Sequence, residues 1–241
     1  MMTTKHPLVT VSLLLLSASL YADNRGKLIF EDDFQRNESQ ETKEEVGNHW
    51  TTNSDRRAGG NKQVDLHDGA IYIHRHPSAD HAVSVVHAAE FRNGIVDIRF
   101  MLENKGDSLG LDFADLQLKT VHAGHLFRVT VGLNKLDITD MKTGSMSEKI
   151  QTLKKGGKLS PEIRKMLATK KKVIPVNLKT GKWYDLSIKI AGDTVSVAID
   201  GKKAGSFASE GFAHPTKRMI RLAVPKNAVV DDLKIYSTGG E

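Results

Sequence analysis

Hydrophobic and polar residues alternate along most of the chain from Lys27 onward, in short runs separated by turn residues. The clearest run is GIVDIRFML (94–102), in which every second side chain is apolar. A period of two is that of a β-strand with one buried face. Late in the chain, Asp200-Gly201 separates two more alternating runs, and this dipeptide between such runs predicts a two-residue hairpin turn. The pattern predicts an all-β protein of the sandwich type.

Polar residues on these runs are the candidate binding groups. They are Asp97 and Arg99 in the run above, Asp112 in SLGLDFADL, and Arg128 and Thr130 in HLFRVTVGL. We expect the three runs to be neighbours in one sheet, so that carboxylates and guanidinium groups converge on one surface. Such a surface is suited to hold the hydroxyl or acidic groups of a sugar. The alternative is a set of cross-strand ion pairs on a solvated sheet.

One segment, residues 145–172, departs from the strand pattern. Ser145 followed by Glu148 predicts a helix start of the capping-box type, and a pair of glycines predicts the end of that helix. A second helix is expected from Ser160-Pro161, because proline suits the first turn of a helix. The segment therefore predicts a two-helix insert that lies on the sandwich with its lysines in water.

Positive charge is concentrated in this region. The net charge is +6, but residues 142–172 hold ten Lys or Arg against two Glu, so the rest of the chain sums to −2. Three interpretations stay open: a solvated helical surface, a clamp for sulfated or uronic-acid polysaccharide, or an anchor on anionic lipid or nucleic acid. No nucleic-acid recognition motif accompanies the lysines, so no such partner is expected. The polysaccharide interpretation uses Lys154, Lys155, Lys170, Lys171 and Lys172.

The first 22 residues have the pattern of an export signal. Lys5 precedes an apolar stretch that is too short to span a bilayer, and cleavage is expected after Ala22. This leaves residues 23–241 as a single domain with no transmembrane segment, so we expect an exported protein, periplasmic or extracellular. The chain has no cysteine, which excludes disulfides, thiolate metal sites and a thiol nucleophile.

Several motifs follow one another in the chain: DDF, GNHW, DGAIYI, EFRNGIVDIRFML, GDSLGLDF, HLFRVTV and GKWYDLSIKIAGDTVSVAIDGK. Their succession resembles the concanavalin A-like lectin and glucanase superfamily, and it is most similar to secreted bacterial 3-keto-disaccharide hydrolase or laminin-G-like domains. The resemblance covers residues 28–236 apart from the insert. It implies a jelly roll of two antiparallel sheets, with the concave sheet as the usual glycan surface. The Glu-x-Asp-x-x-Glu run of family-16 glucanases is missing here, so their retaining mechanism is not expected.

Three kinds of function are left open by these observations. The first is binding of a polysaccharide or oligosaccharide, neutral or anionic, on the concave sheet. The second is glycoside hydrolysis of the 3-keto-disaccharide hydrolase type, with Asp97 and Asp112 as acid and base across a glycosidic bond. If the chain is an enzyme, we expect a glycoside hydrolase. The third is a laminin-G-like protein-interaction or structural domain.

Metal and aromatic candidates are few. Asp33 and Asp232 lie in runs that are expected to pair near the chain ends, where related sandwiches hold calcium with carboxylate oxygens. Calcium is the one cofactor considered, and no other is expected. Trp183 opens a strong strand and is expected in the core. Aromatic residues make up only 6% of the chain, which favours polar and ionic recognition over ring stacking.

Overall fold

Two antiparallel β-sheets enclose one apolar core in the structure, a computed structural model that describes residues 25–157 and 159–239. The predicted export signal lies outside the described residues. We name each sheet after a central strand. The β6 sheet contains β1 (Lys27–Asp32), β3 (Val64–His67), β4 (Ala70–His74), β6 (Gly94–Met101), β11 (Trp183–Ala191), β12 (Thr194–Ile199), β13 (Lys202–Ala208) and β15 (Asn227–Ser237). The β7 sheet contains β2 (Thr51–Thr52), β5 (Val83–Phe91), β7 (Ser108–Ala114), β8 (His125–Gly132), β9 (Lys135–Asp140), β10 (Lys171–Pro175) and β14 (Lys217–Val224).

Strands that follow one another in the chain often lie in different sheets. The order across the β7 sheet is β10-β9-β8-β7-β14-β5-β2, and the order across the β6 sheet is β13-β12-β11-β6-β15-β4-β3, with β1 also paired to β15. The chain crosses from one sheet to the other between β6 and β7, so these consecutive strands are not neighbours. Because of this crossing, candidate site residues on β6 and on β7 lie in different sheets.

The inner faces of the two sheets form the core, as the alternation predicts. Phe113 of β7 stacks on Phe127 of β8 with ring centroids 4.5 Å apart, and Phe212 meets Phe127 edge to face at 5.1 Å. All three rings are fully buried. Burial of each side chain of this size contributes about 1.5–3 kcal/mol to folding, so packing stabilises this cysteine-free chain.

The predicted hairpin at Asp200-Gly201 is confirmed. It joins β12 to β13, and both turn residues have positive φ, 48° and 71°. Glycine adopts this conformation without steric cost, and aspartate tolerates it better than most residues. The Asp200 side chain also accepts a hydrogen bond from the backbone N–H of Asp185 on the neighbouring β11 at 3.0 Å.

The helical insert is present but begins later than predicted. The insert contains α2 (Glu148–Lys155) and α3 (Pro161–Thr169). The remaining described α-helix, α1 (Ser54–Arg57), is a single turn between β2 and β3. The predicted start at Ser145 is wrong, because this residue closes a π-helical turn and α2 starts three residues later. The start at Ser160 is confirmed, since its side chain caps α3. The apolar residues expected to face the sandwich are buried or half-buried: Ile150, Leu153, Ile163, Met166 and Leu167.

The predicted end of the insert at residue 172 is also wrong. Helix α3 ends at Thr169, and Lys171 and Lys172 begin β10, which pairs with β9 at the edge of the β7 sheet. Local propensity favours a helix for these lysines, but pairing with an open sheet edge and burial of Ile174 determine the conformation. None of the described helices is long and apolar enough to cross a membrane.

Lys217 is a buried cation at the start of β14. Its side chain is fully buried beside Phe127, and its ammonium donates to the backbone carbonyls of Arg92 at 2.6 Å and His214 at 3.1 Å. Burial, together with the charges of Arg92 and Lys142, lowers its pKa from 10.5 to about 8. The folded state therefore binds this proton less tightly than the unfolded state, in which lysine has its ordinary pKa.

We expect the unfolding free energy to rise with pH between about 8 and 10.5, because the unfolded chain alone keeps the Lys217 proton in that range. Across this range the unfolding free energy should increase by about 3 kcal/mol. Urea unfolding of the wild type and of Lys217→Met at several pH values measures it. The wild-type curve should rise relative to the variant curve across this window, and parallel curves would contradict the assignment.

Candidate functional site

The strand pairings align outward-facing side chains of the β7 sheet in rows that run across six strands, from β5 to β10. The first, which we call the short row, consists of Ser84, Ala223, Gly110, Thr130, Asp137 and Val173. The second, the charged row, consists of Val86, Arg221, Asp112, Arg128, Thr139 and Lys171. The prediction that Asp112, Arg128 and Thr130 share one face is therefore confirmed.

Asp112 is the centre of the charged row. Its side chain is fully buried, although it lies on the outer face of the sheet, because three cationic or ionisable side chains cover it. Arg128 donates through Nε at 3.1 Å and through Nη2 at 2.9 Å, and Arg221 donates through Nη1 at 3.3 Å. His125 Nδ1 is 2.8 Å from Oδ2. The carboxylate is thus saturated with partners.

The ionisation of Asp112 follows from these contacts. Burial raises the pKa of its carboxyl group, but the hydrogen bond from His125 and the charges of His125, Arg128 and Arg221 outweigh it and hold the pKa below the usual value. Asp112 therefore remains a carboxylate at neutral pH and does not serve as a general acid. It holds the two guanidinium groups in fixed positions on the sheet surface.

The short row has little side-chain bulk in its middle. Gly110 lies between Ala223 and Thr130, and a Cβ atom at Gly110 would come within 3.2 Å of the Arg128 Cδ atom and 3.1 Å of the Ala223 carbonyl oxygen. A larger residue there would displace Arg128 from Asp112. Glycine at this position therefore keeps the charged row in place and minimises side-chain bulk in the middle of the short row.

A cleft of about 850 Å³ opens at the β8–β9 end of this surface. Thr130 and Asp137 of the short row contribute to its wall, together with the β8–β9 turn and the loops around residues 106 and 179. Its volume lies within the range of typical small-ligand sites. The lining residues are Lys105, Gly106, Asp107, Ser108, Thr130, Gly132, Leu133, Asn134, Lys135, Asp137, Leu178, Lys179 and Thr180.

Asp137 is the unusual group in the cleft. The residue is only 7% exposed, and its Oδ2 atom accepts a hydrogen bond from Lys171 Nζ at 2.8 Å. Its Oδ1 atom is buried and has no hydrogen-bond partner among the described residues. Buried carboxylate oxygens are normally satisfied, since an unmade hydrogen bond carries a desolvation penalty.

Asp97 and Arg99 do not join this site. They lie on the outer face of the β6 sheet, on the opposite side of the sandwich from Asp112. Asp97 forms an ion pair with Arg25, and Arg99 Nη1 is 3.1 Å from Asp231. The prediction that β6, β7 and β8 are sheet neighbours is wrong, because a period of two tells which face of a strand is polar but not which sheet the strand joins. Asp97 and Asp112 are therefore no acid–base pair.

The two tryptophans occupy different environments. Trp50 is buried in the core, where its Nε1 donates to Asp32 at 2.7 Å. Trp183 is not in the core as expected, because the next residue on β11, Tyr184, takes the inward position. The Arg99 guanidinium lies 5.1 Å from the centre of the Trp183 ring, a cation–π contact on the β6 sheet.

The five insert lysines divide into separate groups. Lys154 and Lys155 are exposed at the end of α2, and Lys170 pairs with Glu210 at 2.9 Å. Lys171 belongs to the charged row, whereas Lys172 pairs with the core-facing Ile138 and so faces the other way on the edge strand. Of the five, only Lys171 reaches the candidate site. A role for the others in polyanion binding stays a prediction.

The two residues predicted to hold calcium do lie close together. Asp33 and Asp232 line a small hollow near the chain ends, about 420 Å³ in volume, together with Arg36 and Lys234. Asp232 is 3.3 Å from Arg99 Nη1. Within residues 25–157 and 159–239 there is no group of three or more His, Cys, Asp or Glu residues suited to hold a metal ion. Glu31 and Asp32 also line the hollow, and a calcium ion there stays a prediction.

Three residues of the site were not identified from the sequence: His125, Asp137 and Arg221. Arg221 alternates with Ile220 and Leu222 in MIRLAVP, so the same period of two assigns it to a polar face. Asp137 lies in LDITD, between two residues that are fully buried. The sequence offers no sign of its missing hydrogen-bond partner, because that property depends on packing between strands.

Comparisons with known proteins agree on the fold. No protein-family model and no curated protein sequence matches the chain. Among solved structures, it is similar to a non-specific endo-β-1,3(4)-glucanase of family GH16, SCLam, with a TM-score of 0.58 at 13% identity over 88% of this chain and 91% of that one. It is also similar to the laminarinase from Rhodothermus marinus, with a TM-score of 0.56 at 12% identity over 88% of this chain and 97% of that one. The carbohydrate-binding module CBM66 from Bacillus subtilis matches with a TM-score of 0.51 at 12% identity over 78% of this chain and 96% of that one.

The predicted fold class is thereby confirmed as a concanavalin A-like jelly-roll sandwich. At 12–13% identity the likeness concerns the fold alone. The narrower resemblance to 3-keto-disaccharide hydrolase or laminin-G-like domains stays a prediction.

Substitution of the two aspartates should have unequal effects on stability. Asp112→Ala leaves two guanidinium groups without their buried counter-ion, so we expect a loss of about 3–5 kcal/mol. Asp97→Ala breaks a more exposed pair with Arg25, and we expect a loss of about 1 kcal/mol or less. Urea unfolding at pH 7 compares them. Similar small losses for both variants would show that the charged row does not depend on Asp112.

Proposed function

We propose that this protein binds a glycan across the outer face of the β7 sheet, with the sugar chain lying along the short row and entering the cleft. The observation that carries the proposal is the short row itself. It has small side chains in its middle, the arginines of the charged row on one side and a polar cleft at its end.

The chemistry of this surface suits a sugar. Each pyranose ring carries several hydroxyl groups that both donate and accept hydrogen bonds, so it needs a surface with both kinds of partner. Thr130 and Ser84 offer hydroxyl groups, Asp137 offers a carboxylate, and Arg128 offers a guanidinium that Asp112 holds in place. A few convergent polar groups in a preformed concave site are typical of small-molecule recognition.

The structural neighbours support this proposal. CBM66 is described as a carbohydrate-binding module, and SCLam and the Rhodothermus marinus protein are a glucanase and a laminarinase. Carbohydrate recognition is thus common to the proteins with which this chain shares its fold, although fold alone does not determine function. Export to the periplasm or the cell exterior, inferred from the first 22 residues, agrees with access to polysaccharides.

We favour binding over hydrolysis. The predicted pair of catalytic carboxylates is separated by the sandwich, and Asp112 is saturated by three partners. The cleft does contain two other carboxylates, but Asp107 is engaged by the Asn104 N–H at 2.8 Å and by the Asn227 side chain at 3.2 Å. These two hydrogen bonds occupy both carboxylate oxygens of Asp107.

A laminin-G-like protein-binding role is also less well supported. In the described part of the chain the large exposed hydrophobic residues are Leu28 on β1, Leu116 in the loop after β7 and Val173 on β10. Singly exposed apolar residues are normal on soluble proteins, whereas a protein-binding surface has a contiguous patch.

Filling the short row should abolish glycan binding. We expect Ala223→Trp to lower affinity at least about tenfold, because the indole would cover the short row beside Gly110. The matched control is Ala198→Trp on the outer face of the β6 sheet. Binding of both variants to a glycan array, with circular dichroism as a check of folding, tests the proposal. Loss of binding in the control but not in Ala223→Trp would place recognition on the β6 sheet.

A further inference from the structure

We propose that the cleft at the β8–β9 end selects an acidic sugar, that is, a ring that carries both hydroxyl groups and a carboxylate or sulfate. This inference rests on the proposed glycan binding and specifies its chemical class. It follows from two features of the cleft that require opposite partners: one carboxylate oxygen that lacks a donor, and a rim of lysines of which two, Lys105 and Lys179, lack an acidic partner among the described residues.

The first feature is Asp137 Oδ1. The oxygen is buried in the wall of the cleft and accepts no hydrogen bond from the described residues. The two lysines beside this carboxylate, Lys135 at 3.7 Å and Lys171 at 2.8 Å, both pair with the other oxygen, Oδ2, and leave Oδ1 to a ligand. A sugar hydroxyl is a suitable donor to this oxygen, and it would satisfy a buried group that is otherwise costly.

The second feature is the rim of the cleft. Lys105, Lys135 and Lys179 are exposed around the opening, and neither Lys105 nor Lys179 forms an ion pair with a described carboxylate. Lys171 lies next to the cleft on β10. Four lysines therefore surround the two carboxylates of the cleft, and the excess positive charge favours an anionic substituent.

The two features together are more specific than a basic patch. A polyanion without hydroxyl groups would be repelled by the negative charge of Asp137 in the wall. A neutral sugar would donate a hydrogen bond to Asp137 but leave Lys105 and Lys179 without a counter-ion. An acidic sugar satisfies both when its hydroxyl group points to the wall and its anionic group points to the rim. Lysine recognises carboxylate and sulfate alike as point charges, so the geometry of the rim does not separate these two substituents.

The test uses matched pairs of oligosaccharides that differ in charge alone. Oligogalacturonate is compared with its carboxyl-reduced form, and a sulfated galactan oligosaccharide with its desulfated form, by calorimetry at low ionic strength. The cleft variant carries Lys105→Gln, Lys135→Gln and Lys179→Gln. The control variant carries Lys154→Gln, Lys155→Gln and Lys172→Gln, which removes the same charge from the end of α2 and from β10 and leaves the lining of the cleft unchanged.

We expect at least one acidic oligosaccharide to bind about tenfold more tightly than its neutral partner. The preference should disappear in the cleft variant, persist in the control variant and weaken as salt screens the lysines. Equal binding of the charged and neutral forms would overturn the acidic-sugar inference and leave glycan binding intact. An equal loss in the control variant would overturn it too, because the insert would then be the source of the preference. Failure of every oligosaccharide, charged or neutral, to bind would overturn the proposed function itself.

Discussion

The pairing register of β7 with β8 and β14 determines which side chains of the β7 sheet are buried and which face outward. It places Leu111 and Phe113 in the core and Asp112 on the outer face, between Arg128 and Arg221. A slip of one residue would exchange these faces and bury an unpaired carboxylate among phenylalanine rings, which would strongly destabilise the folded state. The same register aligns Gly110 with Thr130 and Ala223, so the stability of the sheet and the shape of its outer surface have one cause.

The two rows of the β7 sheet differ in how far their polar groups are satisfied. In the charged row every partner of Asp112 is present within the protein, so this row is a rigid structural element that positions two guanidinium groups. In the short row Asp137 keeps one oxygen without a donor. A site that combines a preorganised border with an unsatisfied group is suited to binding, because the protein pays little reorganisation cost when the ligand supplies the missing hydrogen bond.

Local features of the fold are predictable from the sequence, and long-range ones are not. The alternation of GIVDIRFML and the turn at Asp200-Gly201 depend on neighbouring residues, so the strands and the hairpin follow from the pattern. The sheet that each strand joins depends on pairings between distant segments, which is why Asp97 and Asp112 have the same pattern but lie on opposite surfaces. Asp137 owes its role to Lys171, 34 residues later, which docks at the sheet edge where the sequence favours a helix.

Glycan recognition on the outer face of the β7 sheet can be located by methyl NMR of the protein titrated with the oligosaccharide that binds most tightly. The methyl groups of Thr130 and Ala223 lie in the short row, and those of Thr194 and Ala198 lie on the opposite surface. We expect the first pair to shift with the ligand while the second pair stays unchanged. Shifts confined to Thr194 and Ala198 would contradict the account.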